Sequence, residues 1–188
     1  MRKLIGQIHI SLDGFAAVPS GDLSWIRVDE EIFDDTLTMT DRADAAIYGR
    51  KTYGIMEEYW PTAPGQPNAS KHDKEHGAWY AAVDKYVISN TLHDAKSKTT
   101  IIRGDIAAQL SAIKAQPGKD ILLFGSPSTA QTLLRMNLVD ELCLLVNPIL
   151  LGSGMPYFKD IGAQKRLRLI ESRAFSAGVV KLVYQVLM

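Results

Sequence analysis

Thiols are almost absent from this chain, whose 188 residues include a single cysteine, Cys143. One thiol excludes an internal disulfide framework and a multi-thiolate zinc site, and it fits a reducing compartment. Cys143 stands in the apolar run Leu142-Cys143-Leu144-Leu145-Val146 and reads as a small buried hydrophobe. A surplus of charge is absent as well. Twenty-one basic residues balance twenty-one acidic ones, so no global field draws the chain onto nucleic acid or an anionic membrane, and any bound anion needs a local site. Long hydrophobic runs are missing too. No stretch reaches the roughly 20 apolar residues that span a bilayer, and the start, Met1-Arg2-Lys3-Leu4-Ile5-Gly6-Gln7, turns polar too soon for a signal-peptide core. The expectation is a soluble, cytoplasmic protein.

A hydrophobic fraction of 46% is enough to bury one core of ordinary size, so residues 1–188 are expected to form one domain. Residues 3–12 alternate as a first strand, with Leu4, Ile8, Ile10 and Leu12 on one face. Asp13-Gly14 breaks it and Ser20-Gly21-Asp22 makes a turn. Helices are predicted over 29–40, 50–59, 106–115 and 127–136, and short apolar strands over 45–48, 86–89, 100–103, 121–124 and 142–146. Residues 60–77, with three prolines and many polar residues, predict a long surface loop. Gly152-Ser153-Gly154 marks a sharp turn, and residues 167–175 and 179–187, separated by a Ser-Ala-Gly turn, predict a terminal hairpin. Strands alternating with helices and closing on that hairpin imply an α/β fold with a mixed, mostly parallel sheet. The apolar hairpin is also a surface through which a homodimer is expected to form.

Two places share one plan of buried strand, glycine and helix start. They are Ala46-Ile47-Tyr48-Gly49-Arg50-Lys51-Thr52 and Leu122-Leu123-Phe124-Gly125-Ser126-Pro127-Ser128-Thr129. In open α/β sheets, ligands gather beyond the carboxyl ends of strands, where free amides of helix N-termini point outward. Ser126 predicts an N-cap and Pro127 a first helical residue, and a well-capped helix is a sufficient reading of that segment alone. Arg50 and Lys51 oppose the helix dipole by some tenths of a kcal/mol. An anion would reverse that sign, since guanidinium, ammonium, amides and the Thr52 hydroxyl can all face a phosphate; a solvated Arg-Lys pair is the alternative. Together the two junctions suit a dinucleotide.

His72-Asp73-Lys74-Glu75-His76 matches a zinc-hydrolase pattern, but its neighbours look solvated and no third ligand is evident, so a plain exposed helix start is preferred and no metal is expected. Asp13 ends the first strand near the edge shared by the glycine junctions, although Asp-Gly is also an everyday turn. Glu30, Glu31, Asp34 and Asp35 crowd a helix start, where the dipole favours them. His9 and Gln7 share one strand face and either line the same cleft or form a plain polar pair.

Ser11-Leu12-Asp13-Gly14-Phe15, Tyr48-Gly49-Arg50-Lys51-Thr52-Tyr53, Lys85-Tyr86-Val87-Ile88-Ser89-Asn90-Thr91-Leu92, Leu138-Val139-Asp140-Glu141-Leu142 and Val146-Asn147-Pro148-Ile149-Leu150-Leu151-Gly152-Ser153-Gly154 follow one another in order. In this order the chain resembles, over essentially its whole length, the dihydrofolate-reductase-like family that includes the reductase domain of riboflavin-biosynthesis deaminase-reductases. The resemblance implies the dihydrofolate reductase fold, NADPH as cofactor and hydride transfer to a small heterocycle, either a dihydrofolate-like pterin or a ribosylaminopyrimidine. It places Gly49, Arg50, Lys51 and Thr52 on the phosphates, Ser89 and Asn90 near the adenosine 2′-phosphate, and Gly125, Ser126, Pro127, Ser128 and Thr129 on pyrophosphate or ribose. Asp13 and Gly152-Ser153-Gly154 would border the nicotinamide and substrate, and Asp13 and Glu30 are the candidate proton donors. Two departures stand out: dihydrofolate reductases usually carry arginine where Asn90 stands and a Gly-Gly pair where Gly125-Ser126 stands. The deaminase zinc signature needs several cysteines and is excluded. A nucleotide-binding module or sensor without turnover is the alternative function.

Overall fold

The computed structural model describes residues 1–187. Eight strands form one sheet: β1 (Leu4–Ser11), β3 (Ala43–Gly49), β4 (Asp84–Ile88), β5 (Thr99–Ile102), β6 (Asp120–Phe124), β7 (Glu141–Asn147), β9 (Arg166–Ala174) and β10 (Val180–Leu187). Their spatial order is β5-β4-β3-β6-β1-β7-β10-β9. All pairings from β5 to β7 are parallel, and only β10 runs antiparallel to its two neighbours. The expected mixed α/β sheet with a terminal hairpin is therefore present, and the hairpin turns at Gly178, whose φ is 82°.

The central strands are buried on both faces, as parallel strands must be when helices cover both sides. Ala45, Ala46, Ile47 and Tyr48 of β3 and Ile121, Leu122 and Leu123 of β6 are fully buried. Burial also pushes the Cys143 thiol up to about 12, which makes it an inert core residue. By contrast β9 is exposed along its whole length. It is tied down through charge: Arg173 on β9 and Lys181 on β10 both bond Asp35 on α1 (Glu30–Asp41), with Lys181 Nζ 2.7 Å from the Asp35 carboxylate. That buried pair fixes the helix over the hairpin side of the sheet.

The remaining helices are α2 (Arg50–Tyr59), α3 (Lys71–Ala82), α4 (Ile106–Ala115) and α5 (Pro127–Arg135). Helix α3 corrects the predicted surface loop over 60–77. Ser70 accepts from the Asp73 amide while the Asp73 carboxylate accepts from the Ser70 amide, a capping box that starts a helix inside that stretch. Pro61 and Pro67 are exposed as expected, but Pro64 is packed. A β-carbon on Gly77 would sit 2.3 Å from Pro64 Cγ, so that proline lies directly on the helix. Two further corrections concern the first strand. It stops at Ser11, leaving Leu12 exposed rather than aligned with Leu4, Ile8 and Ile10. Residues beyond it form a small ribbon, β2 (Phe15–Ala17) with β8 (Met155–Pro156), which had no distinct alternation to reveal it.

Candidate functional site

One large cavity, about 1050 Å³, opens at the carboxyl edge of β1, β3 and β6. This is the place where an open parallel sheet gathers ligands, and the volume exceeds that of an ordinary single-ligand pocket. Gly49, Arg50, Lys51 and Thr52 line it from the start of α2, and Gly125, Ser126, Pro127, Ser128 and Thr129 from the start of α5. The structure thus brings the two glycine junctions together in one cavity.

Their contact is close. The Gly49 amide donates to Ser126 Oγ at 2.9 Å, and Thr52 Oγ1 lies 2.8 Å from the same hydroxyl. A β-carbon on Gly49 would stand 2.6 Å from both Ser126 Oγ and Thr129 Oγ1. Glycine is required there for space, since its φ of −83° is ordinary. Ser126 itself corrects the expected N-cap. It adopts a left-handed conformation, φ 47° and ψ 70°, directly after Gly125 at φ 54°, and makes no capping bond to α5. Its hydroxyl joins the two junctions instead. A non-glycine residue in this region costs roughly 1–2 kcal/mol, which explains why glycine pairs serve at such a turn.

The helix ends differ in a telling way. Asp29, Ser70 and Asp105 cap α1, α3 and α4 through side-chain oxygens, whereas α2 and α5 have no side-chain cap. The unpaired N–H groups of both uncapped ends belong to cavity-lining residues. With Arg50 and Lys51 beside them, they present donors and positive charge of the kind an anion can use.

A smaller hollow of about 250 Å³ adjoins the cavity and shares Ile88, Ser128 and Thr129 with it. Ser89 and Asn90 line this hollow. The Ser89 hydroxyl oxygen already accepts from the Thr91 and Leu92 amides, so only its proton is free for a ligand. Arg103, which the sequence reading did not single out, donates through Nε to the Ser89 carbonyl and through its guanidinium to the Leu92 carbonyl. It places a cation beside Asn90. Its signal in the sequence was a third strand-glycine-helix junction, Ile101-Ile102-Arg103-Gly104-Asp105-Ile106.

The other end of the cavity is aromatic and imidazole-rich, built by Gln7 and His9 on β1, Ile32, Phe33 and Thr36 on α1, Trp60, and His72 and His76 on α3. The His72 ring stacks on Phe33 at 4.0 Å and the His76 ring lies 4.1 Å from Trp60. This corrects the view of the His-x-x-Glu-His segment as solvated: His76 is buried and both imidazoles are cavity walls. No cluster of three or more metal-ligating side chains occurs among the described residues. Burial lowers all three imidazoles, His9 to about 4, His76 to about 3, and His72 below its ordinary value, so each is neutral at pH 7.

Both candidate proton donors fall outside the cavity lining. Asp13 is exposed and accepts from the Leu151 and Gly152 amides at 3.1 and 2.7 Å, so it clamps the Gly152-Ser153-Gly154 turn. The Ser11 hydroxyl, then those amides, hold its carboxyl below the ordinary range. Glu30 is exposed on the first turn of α1, whose inward residues are Ile32, Phe33 and Thr36. Gly152, Ser153 and Gly154 do not line the cavity either; the following Met155 and Pro156 do. No aspartate or glutamate is among the cavity-lining residues, and the cations there are Arg50, Lys51 and Lys159.

The profile of the family described as RibD C-terminal domain matches residues 2–181. The chain belongs to this family. It is 32% identical over 186 residues to the uncharacterized protein YyaP of Bacillus subtilis, covering 97% of this chain and 94% of that protein. YwjB of the same organism, also uncharacterized, is 26% identical over 179 residues, covering 95% of each. The fold is shared with a candidate riboflavin biosynthesis protein from Shewanella sp. PV-4, at a TM-score of 0.77, 21% identity and 99% coverage of both chains. A pyrimidine reductase-like protein from Corynebacterium diphtheriae aligns at a TM-score of 0.71 and 17% identity, over 100% of this chain and 92% of that one. A deaminase/reductase from Thermotoga maritima aligns at 0.66 and 12% identity, over 99% of this chain but 57% of its own length. The sheet order and terminal hairpin are thus those of the dihydrofolate-reductase-like RibD C-terminal fold.

Proposed function

We propose that this chain is an NADPH-dependent reductase that passes hydride to a small polar heterocycle held beside the nicotinamide. The observation that carries it is the pair of uncapped helix N-termini facing one cavity, α2 with Arg50 and Lys51 and α5 with Ser128 and Thr129. Leaving a helix uncapped forgoes roughly 1 kcal/mol each time, and a ligand that brings two phosphoryl groups recovers it. Gly49, Thr52 and Ser126 shape the floor of this cradle. Ser89 and Asn90, with Arg103 behind them, form the adenosine end, where Arg103 supplies charge that Asn90 lacks. The cofactor brings the hydride; the protein holds both reactants in line.

Between the two substrate classes, the geometry favours a neutral or anionic pyrimidine-type ring over a pterin anchored by an acid, because no carboxylate lines the cavity. The same observation favours one alternative, a nucleotide-binding module without turnover, since no side-chain acid stands ready to protonate a product. Titration with NADPH and NADH, followed through the fluorescence of cavity-lining Trp60, tests cofactor binding. Loss of NADPH absorbance with a panel of ribosylaminopyrimidines, pyrimidinones and dihydropterins then separates reductase from binding module. Tight NADPH binding with oxidation by a pyrimidine-type ring supports the proposal. Binding with no oxidation leaves the module, and no binding removes both.

A further inference from the structure

Asn147, at the end of β7, is fully buried and its amide has only one workable orientation. Its Oδ1 accepts from the Arg27 backbone amide at 2.8 Å, while Nδ2 donates to the Leu145 carbonyl at 3.0 Å and lies 3.4 Å from the Ile10 carbonyl. Turning the amide over would set an oxygen against two carbonyl oxygens and an NH₂ against an N–H. The same Nδ2 lies 3.3 Å from Nδ1 of His9. An NH₂ group has only donors to offer, so Nδ1 of His9 must present its lone pair. A neutral imidazole with a bare Nδ1 carries its proton on Nε2. An imidazolium would point a second donor at Asn147 and is disfavoured there, which agrees with the lowered basicity that burial imposes on this ring.

His9 lines the cavity two residues beyond Gln7 on the same face of β1. The Gln7 carbonyl accepts from the Gly125 amide at 3.2 Å, so this stretch of β1 abuts the cofactor cradle. On its far side the cavity continues to Phe33 and the α3 imidazoles. His9 therefore stands between the region assigned to the cofactor and the region left for the substrate.

We propose that Asn147 locks His9 as a neutral imidazole whose Nε2–H donates to a carbonyl oxygen or ring nitrogen of the substrate, polarising the double bond that receives hydride. This rests on the reductase reading above and names its substrate-orienting group. The bond accounting is simple. The nicotinamide carbon–hydrogen bond breaks with its electron pair, and the hydride forms a bond to the substrate carbon. The π pair moves onto the adjacent oxygen or nitrogen, which then takes a proton from solvent. His9 keeps its own proton throughout, because its conjugate imidazolate is far too basic to form. A donor fixed before reaction and aimed at developing negative charge costs no reorganisation during it. Asn147 is a positioning residue acting through His9. With no carboxylate in the cavity to accept from the substrate, the substrates selected are those rich in acceptors at this point, such as oxo-substituted nitrogen heterocycles.

The first test uses the unmodified protein without ligand. Long-range proton–nitrogen spectra of the imidazoles, with His9 assigned by its loss in His9→Gln, report which ring nitrogen is protonated. A pyrrole-type Nε2 and a pyridine-type Nδ1, unchanged between pH 6 and 8, are expected; an Nδ1–H ring or an imidazolium at pH 7 overturns the proposal. The second test measures turnover of any heterocycle that oxidises NADPH. Removing one such donor lowers kcat by roughly 100- to 1000-fold, so His9→Ala is expected to do this with NADPH affinity unchanged, and His9→Gln, which keeps a donor, to recover part of it. Full turnover by His9→Ala defeats the proposal and leaves the reductase intact. Failure to bind NADPH defeats the reductase, and the ring spectrum still decides the state of His9.

Discussion

Helices α1, α3 and α4 each begin beneath a side-chain oxygen, from Asp29, Ser70 and Asp105, while α2 and α5 begin beneath none. The first three end the matter locally: the cap answers an orphan amide and the helix is complete. The other two converge on one cavity, where Ser126 spends its hydroxyl on Gly49 and Thr52 rather than on its own helix. On the proposed reading, the contrast marks where local stability is given up for a ligand. A second contrast lies along the cavity itself, between an end of amides, hydroxyls and cations and an end of imidazoles and aromatic rings.

The largest effect is expected from Gly49→Ala, whose methyl would meet Ser126 Oγ and Thr129 Oγ1 at 2.6 Å. Such overpacking costs about 1–3 kcal/mol of stability and forces the two helix ends apart. NADPH binding should fall on the order of 100-fold or more, equivalent to about 2.7 kcal/mol, as read by fluorescence titration. Native affinity would show that the junctions do not act together.

Acid should weaken the imidazole end selectively. His9 and His76 titrate near 4 and 3 in the folded protein against about 6.5 when unfolded. The unfolded chain therefore binds more protons below pH 6.5, so stability is whole above that value and falls as pH drops toward 4. Urea midpoints should decline over this window by a few kcal/mol of unfolding free energy, and His76→Phe should flatten the decline. A profile as steep in that variant would contradict the assignment.

Arg50→Ala removes one cation from the α2 end. Loss of a charge-assisted hydrogen bond is worth roughly 1.5–3 kcal/mol, so NADPH affinity should drop about 10- to 150-fold, and less at high salt. Asp13→Asn should leave that affinity unchanged, because Asp13 clamps the Leu151–Gly152 turn away from the cavity. The smallest effect is a control on the same helix. Gly54 faces open space in α2, and Gly54→Ala should raise stability by up to about 1 kcal/mol without touching the cofactor.

Most of the sheet could be read from the chain because its strands are short apolar runs bounded by glycine, as in Leu122-Leu123-Phe124-Gly125. The two glycine junctions were legible for the same reason, and they meet in one cavity. Helix α3 was legible only as an exposed helix start at His72–His76, and its polarity hid its length and its buried face. Its buried residues, His76, Gly77 and Tyr80, make no apolar stripe, and only the Ser70-x-x-Asp73 cap spelled out its start. The acid candidates do not line the cavity, and carboxylates at a strand end or helix start also serve turns and dipoles, as Asp13 does here. The tautomer of His9 is fixed by Asn147, which lies 138 residues away in sequence, and no local pattern could show that contact.

If two bare helix ends hold the phosphates of a dinucleotide, their amides must respond when it binds. Backbone amide spectra recorded during an NADPH titration test this most directly. Large shifts and slowed exchange are expected at Arg50, Lys51, Thr52, Ser128 and Thr129, with the capped starts of α1, α3 and α4 unmoved. Saturating NADPH that leaves those five amides unchanged would contradict it.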